Sequence, residues 1–166
     1  MMQSIMTAKD LLNQSPAIIS YSDIFYEPFA LKSLLNQKEL SILYSSSWKE
    51  LWKKRFKNAT DDAETFSIDT FGYLTDIGEP LDCLNYAFGQ YMGIISFTPK
   101  IFSIFKKIFY VLPEDRRNNI DVTSFLKHLL ITKSLNIKTI EYTGIWGEVD
   151  IPTDLELYNS NSFYFP

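Results

Sequence analysis

The residues best placed to do chemistry are two aspartates, Asp23 and Asp150. Asp23 lies in SYSDIFYEP, just after the apolar run that begins at Ala17, and Asp150 lies in GIWGEVDIPTDLELY, in a similar setting near the other end. Each follows an expected strand or the loop after one. In layered α/β sheets, ligands bind in the crevice outside the carboxyl ends of the strands. Two carboxylates from different strand ends suit a hard divalent cation bound to nucleotide phosphates, since Mg²⁺ takes oxygen ligands and commonly one or two carboxylates plus phosphate oxygens. The chemistry implied is phosphoryl or nucleotidyl transfer. Taken singly, each aspartate equally suits a helix cap or a turn.

The elements that must position these residues alternate. Gln3–Asn13 reads as a helix, Ala17–Tyr21 as a buried strand, Pro28–Asn36 as a helix and Leu40–Tyr44 as a strand. Ser47 and Glu50 have capping-box spacing at the start of WKELWKKRF, whose Lys53, Lys54, Arg55 and Lys57 read as a solvated basic face more readily than as a phosphate site. Glu64–Ile68 and Tyr73–Ile77 flank Asp69-Thr70-Phe71-Gly72 as a hairpin, with the glycine supplying positive φ. Tyr91–Phe97 is a strand, followed by Thr98-Pro99 as a helix start. Phe102, Phe105 and Phe109 fall on one helical stripe, read as core or as a contact surface for a partner subunit. Asp121–Ser134 is helical, Ile137–Tyr142 a strand, and Thr153 with Glu156 marks a second capping box. The pattern predicts one α/β domain over residues 1–166: a layered, mostly parallel mixed sheet with helices on both faces and a small antiparallel hairpin insertion.

Composition narrows the function classes. With 166 residues, 46% hydrophobic and 22% charged, the chain can bury a core of its own. A net charge of -4 leaves no broad basic footprint for nucleic acid. The most apolar segment, residues 101–112, is far short of the ~20 residues of a membrane span and carries Lys106 and Lys107. One cysteine, Cys83, forms no internal disulfide, and with no recognisable leader the expected location is the cytoplasm. His128, the single histidine, sits among leucines and reads as structural.

The segments IISYSDIFY, DDAETFSID, GQYMGIISFTP, DVTSFLKHLL and WGEVDIPTDLELY occur in an order that resembles the nucleotidyltransferase family of sugar-nucleotide pyrophosphorylases and phosphocholine cytidylyltransferases. They most resemble the subgroup that activates small phosphorylated or phosphonate alcohols and amines with CTP. That resemblance implies a nucleotide-diphospho-sugar-transferase-like fold, with Asp23 and Asp150 as catalytic ligands of Mg²⁺. It implies attack by an acceptor phosphate or phosphonate oxygen on the α-phosphorus of the nucleotide, with pyrophosphate leaving. Glu148 then either faces the acceptor or is a solvated loop acid. Trp146 and Tyr91 form an aromatic wall for a cationic group, or are core. Asp121 lies near the acceptor pocket, or only caps its helix.

The chain departs from this family in one respect. Its members carry a first strand and a glycine-rich basic loop that cradle the triphosphate, and the six glycines here form no such run. The expectation is therefore the C-terminal portion of a nucleotidyltransferase domain, acting as a homo-oligomer or with a partner chain that supplies the missing part. The alternatives are a catalytically incomplete binding or assembly module and a metal-dependent glycosyltransferase. The latter normally shows a close D-x-D pair, and Asp61-Asp62 do not match it.

Overall fold

The computed structural model describes residues 1–84 and 87–160. Four strands lie side by side in the order β1 (Ala17–Ser20), β6 (Gln90–Phe97), β3 (Leu40–Ser45) and β7 (Ile137–Tyr142). β3 and β7 pair in parallel, whereas β6 runs against both β1 and β3. Three of the four strands thus share one direction, as expected. The reversed strand is central, so only one of the three pairings is parallel. An apolar run carries no record of its direction, which is why the alternation alone did not show this.

Every residue of β3 and β6 is buried, because helices cover both faces of the sheet. Successive side chains of a strand point to opposite faces. Leu40, Ile42 and Tyr44 pack on one face with Phe105 and Phe109 of α4 (Pro99–Val111) and Phe125 and Leu129 of α6 (Val122–Ile131). Leu43, Met92 and Ile94 pack on the other with Trp48, Leu51 and Trp52 of α3 (Trp48–Arg55). Phe102, Phe105 and Phe109 have no exposed surface. The stripe is core, not a contact surface for a second subunit.

Several local expectations are corrected. The first helix is interrupted at Ala8 into α1 (Met2–Thr7) and α2 (Lys9–Leu12), and the segment after Pro28 tightens into a 3₁₀ helix, Pro28–Leu34. Neither capping box forms. Ser47 Oγ meets Ser45 Oγ at 3.2 Å and Glu50 pairs with Lys53 at 2.6 Å. α7 (Pro152–Asn159) is instead capped by Asp154, whose Oδ2 accepts from the N–H of Ile151 at 3.2 Å. Thr98 behaves as expected, accepting from the N–H of Ile101 with Pro99 next in the chain. A short helix, α5 (Glu114–Asn119), was not expected.

Outside the main sheet, β4 (Glu64–Ile68) and β5 (Leu74–Pro80) form the hairpin, with Gly72 at φ 78° and Asp69 Oδ1 accepting from the N–H groups of Phe71 and Tyr73. A second two-stranded ribbon joins β2 (Ile24–Tyr26) to β8 (Trp146–Glu148), antiparallel, with Ile24 opposite Glu148. Three-residue strands have too little pattern to be recognised in a sequence. No described helix is long and apolar enough to cross a membrane.

Candidate active site

The β2–β8 ribbon brings the two aspartates together. Asp23 precedes β2 and Asp150 follows β8, and because the pairing is antiparallel both stand at the same end. The N–H of Val149 donates to the carbonyl of Asp23 at 2.8 Å, extending the ribbon one step toward them. Both line one cleft of about 200 Å³, together with Asp62, Glu64 and Glu148. Among the described residues no lysine, arginine or histidine lines it. Five carboxylates facing one concave space make a strongly negative field, which favours cations.

Behind that wall lies Arg55, whose side chain is fully buried. It occupies the apolar face of α3 defined by Trp48, Leu51 and Trp52, spaced at i, i+3, i+4 and i+7. Its guanidinium carbon sits 5.1 Å from the Trp52 ring centre and 4.9 Å from that of Phe56. Nε and Nη2 bond the two oxygens of Asp154, each at 3.0 Å; Nη2 also bonds Asp150 Oδ2 at 2.6 Å, and Nη1 bonds Glu148 Oε2 at 3.2 Å. The basic run is therefore solvated only in part, with Arg55 turned inward.

The carboxylates respond to this setting. Burial pushes Glu148 up to about 7, against the pull of Arg55 and with the help of the Asp150 charge. Burial likewise raises Glu64, reinforced by Asp121 and Asp62. It raises Asp62, where Arg55 opposes the shift and Asp150 adds to it. Burial pushes Asp154 up, but the hydrogen bond from Arg55, those from the N–H groups of Asp150 and Ile151, and the Arg55 charge together hold it below the ordinary carboxylate range.

The remaining expected residues divide. Tyr91 lines the cleft, edge-to-face with Tyr21 at 5.9 Å. Trp146 does not line it. It is 3% exposed and stacks on Trp52 with ring centres 5.7 Å apart, so it is core and Trp52 is the indole that reaches the wall. Asp121 caps α6 by accepting from the N–H of Ser124 at 2.7 Å, and it is Thr123 beside it that lines the cleft. Glu148 lies on the cleft, bonded to Arg55, and is not a solvated loop acid.

Two further lining groups were not anticipated. Gln90 is 8% exposed, and its Oε1 has no hydrogen-bond partner among the described residues, nor has Nε1 of Trp52. Buried polar atoms are ordinarily paired, and the hydroxyls of Tyr21 and Tyr91, which line the same cleft, are likewise buried without a partner among the described residues. Among the described residues no three histidine, cysteine, aspartate or glutamate side chains converge as a metal cage. Asp23 and Asp150 supply hard oxygen donors, and Mg²⁺ is commonly held by two carboxylates and substrate phosphate oxygens. The donor set fits such an ion.

Over 95% of its length the chain is 35% identical to a CTP:phosphoglutamine cytidylyltransferase of Campylobacter jejuni subsp. jejuni serotype O:2. The chain belongs to the nucleotidyltransferase family. It spans 66% of that relative's length. The fold agrees: 96% of this nucleotidyltransferase chain superposes on 59% of a Bacillus anthracis protein assigned as a glucose-1-phosphate thymidylyltransferase and crystallised with sucrose, with a TM-score of 0.66 at 15% identity. No protein-family model matches the chain.

Proposed function

We propose that this chain carries the metal- and acceptor-binding side of a cytidylyltransferase, which moves CMP from CTP to a small phosphorylated or phosphonate acceptor and releases pyrophosphate. One observation carries the reading: Asp23 and Asp150 stand at the same end of one ribbon and line one cleft that, among the described residues, has no basic side chain on it. The C. jejuni relative, named as a CTP:phosphoglutamine cytidylyltransferase, adds CTP as the nucleotide and a phosphorylated amino-acid derivative as one acceptor to test.

In the reaction, an acceptor phosphate oxygen forms a bond to the α-phosphorus of CTP. The bond from that phosphorus to the bridging oxygen of the β-phosphate breaks, and pyrophosphate leaves with the electron pair. A bound Mg²⁺ would supply charge neutralisation between triphosphate and acceptor. The chain's own part is alignment and field, the usual source of rate in phosphoryl-type transfer. Asp23 and Asp150 would hold the ion. Glu64 and Asp62 would receive a cationic or N–H-bearing end of the acceptor, with Tyr91 and Trp52 as its aromatic wall.

The test is product formation by the full-length protein encoded by the gene. It would be incubated with CTP, Mg²⁺ and phosphocholine, 2-aminoethylphosphonate or phosphoglutamine, and pyrophosphate and CDP-linked product would be followed together. Both products appearing with one acceptor supports the reading. No pyrophosphate above the enzyme-free rate with any of them defeats it, and CTP binding without turnover would favour a binding module.

A further inference from the structure

Arg55 makes contacts that the fold alone does not require. Burying Asp154 and Glu148 needs a cation, and Arg55 supplies one. Asp150 needs none, since its side chain remains 44% exposed, yet it receives the shortest of the four bonds from this guanidinium, 2.6 Å to Oδ2. We infer that Arg55 is a positioning residue that holds the Asp150 carboxylate in the orientation for ligating a divalent cation, an inference that rests on the metal role given above to Asp23 and Asp150.

The geometry leaves the guanidinium little freedom. Trp52 and Phe56 pack against it, and the bidentate pairing with Asp154 sets the plane of the fork. Asp154 is itself tied to the backbone of the residue in question, because its Oδ2 accepts from the N–H of Asp150 at 3.0 Å. Backbone and side chain of Asp150 are thus referred to one rigid assembly joining α3 to α7. Carboxylates that ligate metals are commonly oriented by such outer partners, whose loss costs about 10- to 100-fold in metal affinity. The positive charge of Arg55 does not spoil the site, because Asp154 and Glu148 offset it.

Charge and geometry act oppositely here, which makes the proposal testable. A cation beside a metal site weakens binding by repulsion, so removing only charge would tighten it. R55K keeps the charge and loses the planar fork. Mn²⁺ binding to the full-length protein would be titrated by electron paramagnetic resonance for the wild type, R55K, D154N and D150N. The expected result is a Kd raised about 10- to 100-fold in R55K, with D154N shifted in the same direction by less. In turnover assays R55K should need more Mg²⁺ while the acceptor KM stays unchanged. An R55K protein whose Mn²⁺ Kd lies within twofold of wild type, whatever its melting temperature, overturns the inference. Should R55K not fold, D154N decides by the same criterion. If D150N leaves Mn²⁺ affinity unchanged, the metal reading falls and this inference with it. If D150N abolishes binding and R55K does not weaken it, only the Arg55 step falls.

Discussion

The peptide N–H of Val149 donates to the carbonyl oxygen of Asp23, so the two carboxylates at the mouth of the cleft are linked through backbone rather than through their side chains. Substituting either side chain leaves that link in place. The expected outcome for Asp23→Asn and Asp150→Asn in the full-length protein is a kcat lower by roughly 100-fold or more, with little change in melting temperature. The double variant should be scarcely worse than either single one, since both act through one ion. Steady-state kinetics with matched thermal melts check this, and additive losses would separate the two roles.

Glu148 provides a pH signature. Its carboxyl stands at about 7 in the fold against roughly 4.3 in an unfolded chain. A raised folded value means a contribution to stability that is complete below the unfolded value and fades as pH climbs through about 7. Glu148→Gln removes that titration while keeping an acceptor for Arg55. Relative to wild type, the variant should therefore gain stability between pH 5 and pH 8. Urea denaturation at unit pH steps measures the difference, and a constant offset would show that Glu148 is ionised throughout.

Gly93 is the narrowest point of β6. It has φ 75°, and a Cβ there would lie 2.7 Å from a ring carbon of Tyr21, whose N–H bonds the Gly93 carbonyl. Gly93→Ala meets backbone strain and a ring that cannot retreat without moving the cleft wall. The expected cost is about 2–4 kcal/mol, read from chemical denaturation. A change below about 0.5 kcal/mol would mean that Tyr21 swings aside freely.

Trp146 tests the division between wall and core. Trp146→Ala should cost about 3–5 kcal/mol, since the indole is buried and stacked on Trp52. Trp146→Phe should leave the acceptor KM within twofold. A raised KM at unchanged stability would return Trp146 to the binding surface.

Much of this arrangement was legible in the sequence, and the failures have physical causes. Leu40–Tyr44 and Ile137–Tyr142 stood out through their large apolar and β-branched residues: the first is buried on both faces, whereas the second alternates, with Ile137, Thr139 and Tyr142 buried and Glu141 exposed. The hairpin was readable from Gly72 and Asp69, whose roles are local. Asp23 and Asp150 were singled out from their similar settings and both line one cleft, but the ribbon that sets them at one end was not read, because three residues hold no period. Arg55 was missed by reading a run of four basic residues as one surface. Its register with Trp48, Leu51 and Trp52 was a usable signal, but the reason to bury it, Asp154, lies on a helix at the far end of the chain. Gln90 gave no signal, since only the closed cleft reveals that its oxygen lacks a donor.

The ribbon also sets a clock. β2 lies near the start of the chain and its partner β8 near the end, so everything from the 3₁₀ helix to β7 forms a loop that this three-pair clasp closes. Contacts between distant parts of a chain form slowly, because the entropy of closing the loop is lost before the contact repays it. The four-stranded sheet meets the same delay, because it joins β1 to β7 across nearly the same span, and each ribbon strand lies only a few residues beyond one of these two. During refolding of the whole chain, Mn²⁺ capture should accordingly rise together with the circular-dichroism signal of sheet formation, with no slow phase of its own.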